Sequence, residues 1–335
     1  MKYCLFILFI TMFCFSRFYG QEMHTPAQLL EIMDKSTISY ELSPLDEAIN
    51  TPDREHLLNF NNSYRVFNEG LLTTYYYDFS EEVTNVLQEA EQYFQDGKIQ
   101  NAREKYLQAL EMDSTCYKVM TYIGQTYGIE KEYEKAKEWY TRTIELNYID
   151  YMAHWFLADI YKSTGEYKKA LDEITIAHIL NRNNPRIKSS LIDIYKLNKL
   201  KYADWMFNPQ VQVDSIGPDK VNIAFHPDWL GYGIGKAIWK YEPDYAESMG
   251  SENEFFSMLQ EKECLVCLIV TFDKKKLKKY PEFKALQMAL DNKMVDEYIL
   301  FEILLPDYPV VAYQFTDELV DLMKNYIIKV RGGQK

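Results

Sequence analysis

Apolar and small residues recur every 34 positions between Val83 and Asn198. Ala90, Gly124 and Ala158 stand one such interval apart. Four more columns keep the same register: Tyr93, Tyr127, Tyr161 and Tyr195; Ala102, Ala136 and Ala170; Tyr106, Tyr140 and Ile174; Ala109, Thr143 and Ala177. Because no insertion or deletion separates the copies, the pattern predicts three consecutive structural units of equal length.

Each copy has the hydrophobic spacing of two short amphipathic helices. In the middle copy, Met120, Ile123, Gly124 and Tyr127 fall at i, i+3, i+4 and i+7, which is one helix face. The small residues are expected where the two helices cross, since they let the backbones approach closely. Gly97 and Gly165 mark the break between helices, and Glu130–Glu132 replaces the glycine in copy two.

This order of small, aromatic and turn residues resembles the tetratricopeptide repeat (TPR) family. The resemblance covers residues 83–116, 117–150 and 151–184, followed by a single capping helix over 185–198. The proline that the family carries near the end of the second helix is replaced by Ser114, Tyr148 and Arg182. The resemblance implies an α-solenoid whose first helices line a concave groove for a protein or peptide partner.

Carrying the family's groove positions onto this sequence gives a candidate binding face. Its members are Leu87, Glu91 and Phe94; Tyr122, Gln125 and Ile129; Trp155, Phe156, Asp159 and Lys162; and Ser190 and Asp193. Chaperone-tail-binding members hold a terminal carboxylate with Lys, Asn and Arg, whereas Glu91 and Asp159 would repel one. The resemblance therefore implies a partner with basic residues beside apolar ones. The alternative is that these aromatics pack against other parts of the same chain.

The regions flanking the repeats carry weaker signals. Residues 21–80 are expected to form a lead-in that covers the apolar edge of the first repeat, with one short helix capped by Thr25. The pattern of apolar positions in residues 201–331 predicts a mainly helical domain with a β-hairpin around Ile216–Asp219. A capping box at Ser251–Glu254 predicts a helix start. The apolar run Cys264–Phe272 fits a buried helix or a central strand equally well.

Candidate chemistry is sparse, and no metal or cofactor site is expected. Gly231–Lys236 lacks the spacing of a phosphate-binding loop and is interpreted as a tight loop entering a helix. Cys264 and Cys267 have redox-motif spacing, but their apolar neighbours favour core packing over a disulfide. The five histidines are scattered without ligand spacing.

Charge and the first twenty residues suggest location and exclude some partners. The formal net charge of −13 argues against nucleic acid and anionic lipid. Residues 1–20 have the basic start and short apolar run of a secretory signal, so we expect export, with the periplasm or cell envelope of a bacterium as destination. Membrane attachment would arise only from an uncleaved signal.

Two functional hypotheses follow from the sequence. The first is an exported, non-enzymatic interaction or scaffold protein that binds its partner through the groove. The second is an exported enzyme with its site within residues 205–331 and with the repeats recruiting substrate. A pocket containing a cluster of titratable residues in that region would favour the second.

The predicted signal can be tested directly. If residues 1–20 are removed on export, the mature protein begins near Gln21. N-terminal sequencing of exported material checks this, and a chain that still begins at Met1 would contradict it.

Overall fold

The computed structural model describes residues 22–60, 63–68, 71–251, 255–273, 275, 277 and 279–333. The predicted signal lies outside these residues. None of the described helices has the length and apolar character required to cross a membrane.

Seven helices form the predicted solenoid. They are α2 (Glu81–Gln95), α3 (Ile99–Met112), α4 (Tyr117–Ile129), α5 (Tyr133–Leu146), α6 (Tyr151–Ser163), α7 (Tyr167–Leu180) and α8 (Pro185–Leu197). Each helix packs against the next, and the three hairpins α2–α3, α4–α5 and α6–α7 correspond to the three predicted copies. The α-solenoid is therefore confirmed.

The 34-residue columns are the packing positions of this array. Ala90, Ala102, Ala136, Ala158 and Ala170 are completely buried. The turns repeat as well, because Gly97, Lys131, Gly165 and Lys199 all have positive φ. In each turn the backbone N–H of the next residue donates to the carbonyl five positions back, so the helix ends in the same Schellman-type cap every time.

The C-terminal region is mainly helical, as predicted. Its helices are α9 (Leu230–Tyr241), α10 (Tyr245–Ser248), α11 (Met258–Thr271), α12 (Pro281–Asp291), α13 (Val295–Tyr298), α14 (Leu305–Asp307) and α15 (Asp317–Tyr326), with π-helical segments Ile299–Leu304 and Ile327–Arg331. The apolar run Cys264–Phe272 lies mostly in α11, so the helical alternative is right. Residues 252–254 of the predicted capping box Ser251–Glu254 lie outside the described residues, and the helix that follows begins at Met258 and is capped by Ser257.

A three-stranded sheet joins the lead-in to the first part of the C-terminal region. The predicted hairpin is present as β4 (Val211–Gly217) and β5 (Lys220–Phe225). Strand β1 (Ser39–Pro44), which the polar composition of residues 35–52 concealed, pairs in parallel with β5. A separate hairpin of β2 (Ser63–Asn68) and β3 (Leu71–Tyr76) was also missed.

The expectation of a loop at Gly231–Lys236 is wrong, because all three glycines lie inside helix α9. A Cβ on Gly231 would lie 2.4 Å from the Cys267 carbonyl oxygen, and one on Gly235 would lie 2.8 Å from Cys264 Sγ. Glycine is therefore required by close packing of α9 on α11, and the helix accepts its poor helix propensity at these positions.

The lead-in runs along the solenoid and into the C-terminal region. Helix α1 (Pro26–Lys35), capped by Thr25 as predicted, packs against α9 and α11. Downstream, Asn181 accepts a hydrogen bond from the Asn59 N–H (3.2 Å) and donates to its carbonyl (2.9 Å). Asn147, 34 residues earlier, accepts from the Arg65 N–H (3.2 Å) and donates to the Ser63 carbonyl (3.1 Å). We call Asn147 and Asn181 the asparagine pair; it holds the lead-in at the turns between repeats.

The repeat register can be tested with two glycines of α4. A Cβ on Gly124 would lie 2.6 Å from the ring of buried Tyr140, whereas one on Gly128 would meet the flexible end of Ile160 at 3.4 Å and the Tyr140 hydroxyl at 3.7 Å, both ordinary contact distances. Gly124→Ala should therefore lower the free energy of unfolding by about 1–3 kcal/mol. Gly128→Ala should be neutral or raise it by up to about 1 kcal/mol. Urea denaturation measures both, and equal midpoints for the two variants would contradict the register.

Candidate functional site

The predicted groove residues all lie on the first helices of the hairpins and on the capping helix. Leu87, Glu91 and Phe94 are on α2, Tyr122, Gln125 and Ile129 on α4, Trp155, Phe156, Asp159 and Lys162 on α6, and Ser190 and Asp193 on α8. These four helices make their extensive contacts only with helices of the solenoid. The lead-in reaches this set of helices at the start of α4, where the Lys118 backbone N–H donates to the Tyr77 hydroxyl oxygen at 3.2 Å, and every groove residue keeps some solvent-accessible surface.

The groove residues are accessible to different degrees. Glu91 and Asp193 are exposed, as is Ile129, which keeps 50% of its surface in contact with solvent. The remaining groove residues are half-buried, and none is fully buried. A partner could therefore contact every one of them without unfolding the array.

Tyrosines of the second helices pack against aromatic residues of the next first helix. The ring centroids of Tyr106 and Tyr122 are 5.6 Å apart, and those of Tyr140 and Phe156, one repeat later, are 6.0 Å apart. The Tyr106 hydroxyl donates to the Glu91 carboxylate at 2.6 Å. Burial and this hydrogen bond raise the pKa of Tyr106, so its hydroxyl remains a donor that fixes Glu91.

Trp155 and Phe156 are neighbours on α6 whose side chains leave the helix about 100° apart. Their rings nevertheless remain in contact, with centroids 5.6 Å apart. Phe156 packs beside Tyr140, while the Trp155 indole N–H reaches across to α8 and donates to Ser190 Oγ at 3.1 Å. Trp155 is consequently a half-buried, oriented ring at the junction of α6 and α8.

The column Glu91, Gln125, Asp159 and Asp193 gives the groove an acidic character. Lys162 Nζ lies 3.7 Å from Asp159, and Lys196 Nζ lies 3.5 Å from Asp193. Burial raises the pKa of Asp159, and Lys162 only partly offsets this. A partly desolvated carboxylate gains more from an added cation than a solvated one does. The groove therefore favours cationic groups next to aromatic rings.

Two buried carboxylates of the C-terminal region, Glu261 and Glu263, are candidates for a catalytic role. Glu261 accepts from Tyr232 (2.8 Å) and is paired with Lys236, beside an open cavity of about 420 Å³ that Lys236 helps to line. Burial lowers the pKa of Lys236, but the interactions with Glu261 and Cys264 together outweigh burial and raise this pKa above its ordinary value. The amine therefore stays protonated and is unsuited to act as a base.

Glu263 is likewise occupied with structural contacts. It accepts from the Trp239 indole (2.8 Å), the Tyr245 hydroxyl (2.9 Å) and the backbone N–H of His24 (2.6 Å). The Glu263 carboxylate thus holds the lead-in on the C-terminal region. No group of three or more His, Cys, Asp or Glu side chains suited to a metal ion occurs among the residues that the structure describes.

Cys264 and Cys267 are free, buried thiols, which confirms the prediction of core packing. Burial raises the pKa of Cys267 to about 12 and that of Cys264 well above its ordinary value. Because the thiolate is the reactive form, these cysteines are chemically inert in the folded protein.

Comparisons with known proteins agree with the repeat architecture. A family model described as tetratricopeptide repeat matches residues 117–150. Similar solved structures include the first TPR of Spaghetti (RPAP3) bound to an HSP90 peptide (17% identity, 36% of this chain, 96% of that chain, TM-score 0.34). Others are SycD of Yersinia enterocolitica in complex with a peptide of the translocator YopD (20%, 36%, 97%, 0.33) and the TPR2B domain of yeast Sti1 in complex with pHsp70 (18%, 36%, 95%, 0.32). No curated protein sequence matches the chain.

Proposed function

Because this chain carries an array of tetratricopeptide repeats, we propose that it is an exported, non-enzymatic binding or scaffold protein. Its concave groove takes an extended or helical segment of a partner protein. The observation that carries this proposal is the solvent-accessible set of groove residues on α2, α4, α6 and α8, which combines the aromatic rings of Phe94, Tyr122 and Trp155 with the carboxylates of Glu91, Asp159 and Asp193.

The chemistry of that face defines the partner segment. Phe94, Tyr122 and Trp155 offer apolar anchors on three successive first helices, since each is half-buried and therefore still able to bury more surface. Glu91 and Asp159 lie two repeats apart on the same face. We infer a segment with Lys or Arg residues flanked by aromatic or aliphatic ones.

Export and location are supported by the sequence of residues 1–20, and the periplasm or cell envelope is the proposed site of action. The competing hypothesis, an enzyme with its site within residues 205–331, has less support. Its best candidates, Glu261 and Glu263, are held by hydrogen bonds to neighbouring side chains and to the lead-in.

The groove can be tested with two tryptophan substitutions. Peptides selected from a random display library on the mature protein should be enriched in Lys or Arg beside aromatic or aliphatic residues, and their binding should weaken as salt rises. Trp155→Ala should abolish this binding, because a central aromatic anchor contributes more than its neighbours. It should lower the free energy of unfolding by only about 1–2 kcal/mol, from the lost hydrogen bond to Ser190 and partial packing.

Trp139→Ala is the matched control. Trp139 is also half-buried, but it lies on the second helix α5, away from the groove. Fluorescence anisotropy with a labelled selected peptide should show unchanged affinity for this variant. Equal losses for Trp139→Ala and Trp155→Ala, or selected peptides that are acidic, would refute the proposed groove.

A further inference from the structure

An open cavity of about 470 Å³ lies at the C-terminal end of the solenoid. Its walls come from the turn before α8, from one face of α8, from the chain that follows α8 and from the lead-in loop at residues 52–55. The lining residues include Arg182, Lys188, Ser189 and Trp205. The cavity belongs neither to the groove residues nor to the carboxylate clusters described above.

Arg182 has few polar contacts for a charged side chain that is nine-tenths buried. Its exposed fraction is 8%, yet within the described residues its polar contacts are only two, both long. Nε lies 3.4 Å from the Phe301 carbonyl oxygen, and a terminal nitrogen lies 3.5 Å from Glu302 Oε2. The guanidinium also lies 4.3 Å from the centroid of the Phe301 ring. A guanidinium has five N–H donors, so these contacts leave donors of Arg182 that a ligand in the cavity can engage.

Glu302 compensates the charge of Arg182 only in part, because Arg331 engages the same carboxylate more closely. Arg331 donates to both Glu302 oxygens, with Nε at 2.8 Å from Oε1, and Tyr326 donates to the same carboxylate at 2.8 Å. Two guanidinium groups therefore share one carboxylate, which leaves this buried cluster with one excess positive charge. Such a charge is costly to bury unless an anion compensates it.

The other charged residues that line the cavity do not supply that anion. Lys188 is paired with Asp204 at 2.6 Å, and Arg54 is paired with Asp307 at 2.5 Å. Asp53 and Glu55 line the cavity but are exposed at its rim, where water and salt screen their charge. Trp205, which also lines the cavity, has a buried indole N–H without an acceptor in the described chain.

We propose that this cavity binds a small anionic ligand through its carboxylate or phosphate group, with Arg182 as the principal donor. A guanidinium matches either group with two parallel hydrogen bonds. The cavity volume exceeds what a single such group fills, so the ligand carries further atoms that lie toward Lys188 and Ser189. The site is independent of the proposed groove.

Isothermal titration of the mature protein with sodium phosphate and with sodium acetate tests the site. Sodium chloride at the same ionic strength serves as the reference. Binding is expected for at least one anion, and the stronger of the two identifies whether a phosphate or a carboxylate is preferred. Arg182→Met removes the charge and should weaken binding about tenfold or more.

Two further variants separate binding from folding. Ser189 is exposed on α8, so Ser189→Trp should fill the cavity without disturbing the core and should also abolish binding. Lys196→Met removes a positive charge from an exposed position of the same helix, outside the cavity, and should bind normally. Absence of binding to both anions by the native chain overturns the proposal, as does binding that Arg182→Met and Ser189→Trp leave unchanged.

Discussion

The buried pair of Glu302 and Arg331 joins the separate parts of this molecule. Arg331 is completely buried and also donates to the carbonyl oxygens of Ala203 (2.6 Å) and Trp205 (3.0 Å), which lie in the chain leaving the solenoid. Each partner sits in a π-helical segment, Ile299–Leu304 or Ile327–Arg331, where the irregular turn places the side chain in the core. Removing the Glu302 carboxylate would leave two buried guanidinium groups, those of Arg182 and Arg331, without their shared counter-charge, a loss of about 3–5 kcal/mol.

The asparagine pair performs a similar joining role along the repeats. A carboxamide offers both a donor and an acceptor, so one side chain can satisfy both polar groups of an extended backbone segment. Asn147 and Asn181 each do this for the lead-in. The lead-in meets the solenoid at these turns, and the groove residues on the first helices keep solvent-accessible surface. The array thus uses one surface for internal assembly and keeps another free for a partner.

The sequence predicted the features that depend on periodicity and failed where a contact between distant segments decides the structure. The 34-residue columns located every solenoid helix because four of the five are buried positions of the same unit, and the fifth, the tyrosine column, is at least half-buried. Strand β1 alternates Tyr40 and Leu42 with polar residues, but over only five positions inside a polar, turn-rich stretch, and its pairing with β5 is what makes it a strand. The glycines of α9 resemble a loop until α11 is placed against them. The asparagine pair did leave a signal, a 34-residue spacing between Asn147 and Asn181.

The two proposed sites meet at α8 with opposite charge, and this follows from the helix's position. Asp193 and Ser190 continue the acidic concave face, whereas Lys188 and Ser189 line the cavity beside Arg182. A helix that ends a solenoid has one side packed on the preceding hairpin and another side that no further repeat covers. Here residues 204–206 and the lead-in loop fill that side only partly, and the cavity is the remaining space. A cationic segment in the groove and an anion in the cavity would therefore bind to adjacent faces without competing for the same side chains.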